Sequence, residues 1–181
     1  MDEKKIDWLE GINLNEEKGE IMIAGHRGVI VDAHSFKAHR DAIADIIGHG
    51  SDAVLYLAGK RHTVKFVKET IKRTAIAGFI KRFKWGRGKI AEKVVEIMRQ
   101  YGFGVTMIEK LDLDGESVLL MDNSCIATAY KKKQKTPVCS YIAGLLAGGA
   151  EGITDKSFEC VETHCVAKGD KHCRFVLTAD K

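Results

Sequence analysis

Four of the five cysteines, Cys139, Cys160, Cys165 and Cys173, stand in the last 43 of 181 residues, and no other feature narrows the possibilities as much. An odd count without a CxxC pair fits neither a disulfide framework nor a common zinc ribbon. No apolar stretch follows the opening Met1–Glu10, so no secretory signal is expected and the chain reads as cytoplasmic. In that setting clustered thiols favour metal binding or redox work over disulfides.

The geometry of the cluster follows from the pattern around Gly169. Phe158–Val166 and His172–Leu177 are strand-like, and Lys168-Gly169-Asp170 reads as a three-residue turn with glycine available for the left-handed position. Counting outward, Cys165 faces Cys173. Directly opposed residues bring their Cβ atoms to roughly 4.5–5.5 Å, close enough for both sulfurs to reach one tetrahedral zinc at about 2.3 Å. Glu162 lies three residues before Cys165, so the strand must kink or bulge at Thr163-His164 if both bind one ion. Cys139, from the preceding helix, can supply a ligand from outside the sheet. Spacing alone leaves His164, His172 or Cys160 as alternatives to Glu162, and a Cys165–Cys173 disulfide fits the same opposition.

Elsewhere the chain reads as alternating hairpins and helices. Glu20–Ala24 and Val29–Ala33 flank Gly25-His26-Arg27-Gly28 as a first hairpin. Helices are predicted over His34–Ile47, over Ala53 to about Thr74 with Ser51 or Asp52 as N-cap, and over Ile90–Tyr101, ended by Gly102. Ala77–Gly88 reads as a connection or a frayed basic helix. Phe103–Leu111 and Glu116–Met121 form a second hairpin about Asp112–Gly115, and Thr136-Pro137 opens a further helix with proline in its first turn. The sum is one α+β domain, residues 1–181, with a mainly antiparallel sheet of hairpins packed with a helical layer. At 45% hydrophobic and 30% charged residues, a chain of this length builds a core without help from a metal. No apolar run reaches the length of a membrane span.

Three segments together resemble the 4-vinyl reductase domain family. They are Pro137–Gly148, with Cys139 and a glycine-containing helix; Phe158–Cys165, with Glu162-x-x-Cys165; and Gly169–Phe175, with Gly-Asp followed by Cys173-x-Phe. The resemblance is strong over the last 45 residues and looser before them. It implies that Cys139, Glu162, Cys165 and Cys173 bind a structural zinc within residues 137–177. It further implies the ligand-binding-domain fold of the NO-signalling and Golgi-transport type, a homodimer, and a hydrophobic pocket between sheet and helices. Relatives include sensory domains of phenol- and xylene-responsive activators, a protein tied to bacteriochlorophyll synthesis and, more distantly, subunits of the Golgi transport particle. No ATPase module and no helix-turn-helix are read in these residues, so they are not expected to form a complete activator.

With four protein ligands the metal keeps no open position and is expected to be structural. Its formal charge of −2 calls for donors, and Lys168, Lys171 and Arg174 are near in sequence. Pocket candidates are Phe36, Tyr56, Phe66, Trp85, Phe103, Tyr130 and Tyr141, where Tyr and Trp add a polar tip to an apolar body. The histidines at 26, 34, 39, 49 and 62 read as solvated or hydrogen-bonded. Residues 60–89 hold eleven Lys/Arg against Glu69, a solvated basic face or a docking surface for an acidic partner or a membrane headgroup layer; nucleic acid ranks behind these, with no reading motif. Neither a Ser/His/Asp set nor a nucleotide loop points to an enzyme. The expected function is binding or sensing of a small hydrophobic or aromatic molecule. The alternatives are an interaction scaffold with a lipid-type cavity and a reductase of a tetrapyrrole vinyl group.

Overall fold

The computed structural model describes residues 12–23, 26–73, 86–130 and 133–180. Two compact units divide it, one up to Asp32 and one from Ala33 onward.

The first unit is a three-stranded antiparallel sheet of β1 (Ile12–Asn15), β2 (Glu20–Ile23) and β3 (His26–Gly28), in that order. β1 pairs with β2 from Ile12↔Ile23 to Asn15↔Glu20. The turn between them is fixed by the Lys18 N–H donating to Asn15 Oδ1 at 3.0 Å and by Gly19 at φ +59°. The hairpin predicted about residues 25–28 exists, but His26, Arg27 and Gly28 are strand and not turn. Arg27 pairs with Glu20 at 2.7 Å, which draws it into the ladder. Val29–Ala33 forms no strand: Val29 and Ile30 are exposed and Ala33 already belongs to a helix.

The second unit begins with α1 (Ala33–Ile47), a 3₁₀ turn at Gly48–Gly50, and α2 (Ser51–Arg73). After α3 (Arg87–Gln100) come β4 (Val105–Lys110) and β5 (Glu116–Asp122), then α4 (Ser140–Thr154), β6 (Phe158–His164) and β7 (Cys173–Ala179). The four strands form one antiparallel sheet in the order β4-β5-β7-β6. α3 covers the predicted helix, with Ile90, Ile97 and Met98 buried, and Gly102 follows it at φ +80°.

α4 differs from the other helices in being apolar nearly all round, and Ile142 to Ala150 is buried without interruption. Such a helix belongs inside a fold. One side covers the sheet's inner face, where Met121, Phe158 and Phe175 are fully buried, and the other packs along α2. That second contact is backbone on backbone. A Cβ at Gly144 would stand 2.1 Å from the Tyr56 carbonyl oxygen, and one at Gly148 2.3 Å from that of Lys60. Gly59 on α2 reciprocates, 2.3 Å from the Tyr141 carbonyl. Lys60 locks the layers together: its ammonium reaches Glu151 at 2.8 Å and the Phe158 carbonyl at 2.7 Å.

The helix predicted to open at Thr136-Pro137 starts three residues later, with Cys139 at its N-cap. The Cys139 backbone N–H is taken by a side chain from β6, so residues 133–139 run irregularly into the sheet side of the molecule.

Candidate metal centre and ligand cavity

β6 and β7 pair from Phe158↔Ala179 to Glu162↔Phe175, and the register then shifts before His164↔Arg174. The bulge therefore falls at Thr163, the kink expected from the spacing, and it turns Glu162 toward the side on which Cys165 lies. The connection is longer than a three-residue turn. Residues 165–172 form a loop around a 3₁₀ turn, with Gly169 at φ +97°. Lys168 and Asp170 N–H donate to the Cys165 carbonyl at 2.9 and 3.3 Å, and the Cys165 N–H donates to Asp170 Oδ2 at 2.8 Å. Asp170 thus holds the loop from both directions.

The bulge, the loop and the N-cap of α4 bring four side chains together. One ligand atom each from Cys139, Glu162, Cys165 and Cys173 lie within 4.8 Å of one another, all buried. Cys139 and Cys173 Sγ are 3.9 Å apart, close to the edge of about 3.8 Å that a tetrahedral site with 2.3 Å zinc–sulfur bonds requires. All five cysteines are free, so Cys165 and Cys173 form no disulfide. The other conceivable ligands are engaged elsewhere. His172 Nδ1 contacts Asp122 Oδ1, His164 Nδ1 lies 3.1 Å from Thr163 Oγ1, and Cys160 stands outside the group.

The electrostatics of the cluster favour a cation. Glu162 Oε2 accepts the Cys139 N–H at 2.8 Å, whereas Oε1 is buried and has no hydrogen-bond partner among the described residues. Burial first, and the neighbouring Cys165 second, push the Glu162 carboxyl up to about 8. Hydrogen bonds from Cys139 and Cys173 hold Cys165 low, and the same bonds with burial hold Cys139 high. A second buried negative charge among the three sulfurs would have no counter-ion. A divalent cation would satisfy Oε1 and release the remaining thiol protons. Donors to the sulfurs are uncharged. Val166 N–H reaches Cys173 Sγ at 3.4 Å, and the buried Ser124 hydroxyl lies 3.3 Å from Cys139 Sγ. Ala127 N–H donates to Ser124 Oγ, leaving the hydroxyl proton for sulfur. Of the expected cationic donors, Lys168 turns to Asp170 at 3.9 Å and Arg174 to Glu109 at 3.6 Å. Lys171 is exposed.

The helical layer contains a cavity of about 70 Å³, partly open to solvent, walled by α2, α3, Phe103 and Leu145 of α4. Phe66 and Phe103 line it. Phe36 and Tyr141 meet at a tilt outside it, 5.4 Å apart between centroids, with Phe36 also 6.2 Å from Phe103. Tyr56 instead accepts the Cys160 N–H at 3.2 Å, and Tyr130 borders an open depression of about 700 Å³ with Lys37 and Asp41. Trp85 lies outside the described residues. Aromatic counting passes over Tyr101, whose hydroxyl is buried without a hydrogen-bond partner among the described residues and whose ring packs on Phe66 at 6.3 Å. Burial raises that hydroxyl's pKa.

Of the basic stretch, Arg61, Lys65, Lys68 and Lys72 recur along an exposed face of α2, Lys68 paired with Asp155 at 2.6 Å, while Lys60 turns inward. Residues 74–85 of it lie outside the described residues. No described helix is long and apolar enough to cross a membrane.

Ser124, the β6–β7 hairpin and the four clustered ligands all fall within one stretch that has counterparts in other proteins. Residues 121–179 match the 4-vinyl reductase domain. Beyond that segment, the chain is 27% identical over 150 residues to the uncharacterized protein MJ0150 of Methanocaldococcus jannaschii, covering 83% of this chain and 77% of the relative. Its fold is similar to the phenol-responsive sensory domain of the transcription activator PoxR, solved with phenol. The TM-score is 0.81 at 16% identity, over 95% of this chain and 86% of that one. A trafficking protein particle complex subunit 3 from Naegleria fowleri, covalently bound to palmitic acid, has a TM-score of 0.56 at 11% identity, over 82% and 95%. The 4-vinyl reductase segment is thus set in an α+β fold shared with a sensory domain and a transport-particle subunit.

Proposed function

We propose that residues 1–181 act as one binding domain that senses a small, largely apolar molecule, with zinc held by Cys139, Glu162, Cys165 and Cys173 as a structural fastening. The observation that carries the reading is Tyr101: a buried, unpartnered hydroxyl on the wall of an otherwise mostly apolar cavity. A buried polar group without a partner costs about 1–3 kcal/mol, and a ligand bearing one polar group would recover it. The likeness to a phenol-responsive sensory domain supports the same reading. The zinc, with all four positions taken by protein, would join the N-terminus of α4 to the β6–β7 hairpin and perform no reaction.

Tyr101→Phe separates ligand recognition from packing. It is expected to leave the ligand-free protein as stable or slightly more so, because an unsatisfied hydroxyl is removed. Affinity for phenol, read by titration calorimetry, should fall about five- to tenfold, the worth of one hydrogen bond. Unchanged affinity for phenol would remove Tyr101 from the site.

An acyl-chain scaffold is the second reading, suggested by the palmitoylated neighbour. Against it stands the chemistry of the wall, since none of the five cysteines lines this cavity and a thioester would have no nucleophile. For self-association, Ile46, Ile47, Val54 and Leu57 supply exposed apolar surface at the α1–α2 junction. Ile46→Lys combined with Leu57→Lys should convert a dimer to monomer in light scattering, with the melting temperature at high dilution unchanged.

A further inference from the structure

One side of α2 is buried against the fold, and the other has an order of its own. Val54, Leu57, Arg61, Lys65, Lys68 and Lys72 are all exposed, at intervals of three and four residues. With 3.6 residues per turn, those intervals keep the six side chains within an arc of about 80°. They form one stripe about 27 Å long at 1.5 Å per residue. Its first turn is aliphatic and the following three are cationic. The end of α1 widens the aliphatic part, with Ile46 82% and Ile47 47% exposed.

No carboxylate belongs to the stripe itself. Two stand at its border: Glu69 lies 3.9 Å from Lys65, and Asp155, the C-cap of α4, pairs with Lys68 at 2.6 Å. Arg61 and Lys72 form no ion pair among the described residues, so four cations face two acids. Exposed pairs of this kind hold their members weakly, which leaves the cations available to an anionic surface. Exposed aliphatic side chains are ordinary when scattered, but grouped together they mark a contact. Nucleic acid would engage the cations and leave Ile46, Val54 and Leu57 in water, whereas a second copy of the chain would use the aliphatic end and leave the cations unmatched. An anionic bilayer meets both parts, its acyl boundary taking the aliphatic side chains and its headgroups the cations.

We propose that the open side of α2, with the end of α1, docks on an anionic lipid surface. Ile46, Val54 and Leu57 enter the acyl boundary, and Arg61, Lys65, Lys68 and Lys72 lie along the headgroups. Attachment is peripheral and reversible, each cation strengthening it about fivefold. A second copy seated on Ile46 and Leu57 would compete with the bilayer for the same side chains.

The test is sedimentation of the full chain with vesicles of phosphatidylcholine, alone or mixed with phosphatidylserine. Binding should require phosphatidylserine and weaken as salt is raised. Arg61→Gln combined with Lys65→Gln should lower the partition coefficient about 25-fold, two steps of about fivefold. Ile46→Ser combined with Leu57→Ser should weaken binding too, but leave its salt dependence unchanged. Arg87→Gln combined with Lys89→Gln, at exposed cations of α3 outside the stripe, should bind as the parent does. All these positions are at least partly exposed, so the variants' melting temperatures should match the parent's. Equal sedimentation with both lipid mixtures, sedimentation with neither, or indifference to the Arg61 and Lys65 changes would overturn the proposal. So would tighter binding to a DNA duplex than to the vesicles, or serine variants that dissociate a dimer without weakening vesicle binding.

Discussion

Cys173→Ser is expected to abolish metal binding and to lower the melting temperature by roughly 10 °C. Removing one partner from a buried charged cluster costs about 3–5 kcal/mol, and for a chain of this size each kcal/mol moves the midpoint by about 2–4 °C. The fold should survive, because Met121, Phe158, Phe175 and Ile142 form a core that does not depend on the ion. Cys160→Ser is the control: also buried and on the same strand as Glu162, it lies outside the cluster. It should keep full metal stoichiometry by elemental analysis and lose only about 1–2 kcal/mol for a poorly satisfied hydroxyl. If the two variants retained the same metal content, the assignment of the ligands would be wrong.

Metal removal should also reverse the pH dependence of stability. Burial holds the Glu162 carboxyl at about 8 in the folded chain against an ordinary value of 4.5. After chelation, its contribution is fully favourable below about 4.5 and is lost as pH rises through 8, so this group makes the stripped protein less stable with increasing pH. With metal bound, protons compete with the ion for the same donors, and stability should rise over that interval. Denaturant midpoints on either side of neutrality, with and without chelator, distinguish the two.

How much of this could be read from residues alone depended on how local the determinant was. The α3 helix and the β4–β5 hairpin are set by neighbours in sequence, and both lie where periodicity and turn chemistry put them, whereas Cys165 and Cys173 meet in the cluster across a longer loop than the three-residue turn the spacing called for. Parity even called for the bulge at Thr163. It could not choose Glu162 over His172, because that choice depends on Asp122, fifty residues away, engaging the histidine. Pro137 misled for a related reason: the N-cap is Cys139, whose N–H is held by Glu162 of β6, a residue far off in sequence. β1 was missed because Ile12–Asn15 is four residues long and half polar. Tyr101 was passed over although its place at the end of α3 was visible, since an unpartnered hydroxyl is defined by what fails to come near it. The resemblance to 4-vinyl reductase domains supplied the ligand set, but not the wall chemistry of this cavity.

Gly144→Ala should be more damaging than its single added methyl suggests, and Gly149→Ala on the same helix should have the opposite sign. At Gly144 the new Cβ would meet the Tyr56 carbonyl oxygen at 2.1 Å and the Lys60 amide nitrogen at 2.9 Å, both backbone atoms of α2 that no rotamer can move aside. The helices must separate, and Gly148 and Gly59 lose their close fit with them. Overpacking costs about 1–3 kcal/mol where side chains can adjust, so the upper end or beyond is expected, a drop of roughly 10 °C. At Gly149 the same methyl would find Val94 Cγ1 at 3.5 Å and Thr63 Cγ2 at 3.9 Å, ordinary contacts. There the gain in helix propensity, about 0.5–1 kcal/mol, should prevail and raise the midpoint by about 2 °C. Both substitutions improve propensity equally, so a shared direction of change in calorimetry would refute the close-packed seam. Since Cys139 caps α4, five residues before Gly144, displacement of the helix should also pull one ligand from the cluster. Weaker metal retention in Gly144→Ala, but not in Gly149→Ala, would show that the α2–α4 contact and the metal centre hold each other in place.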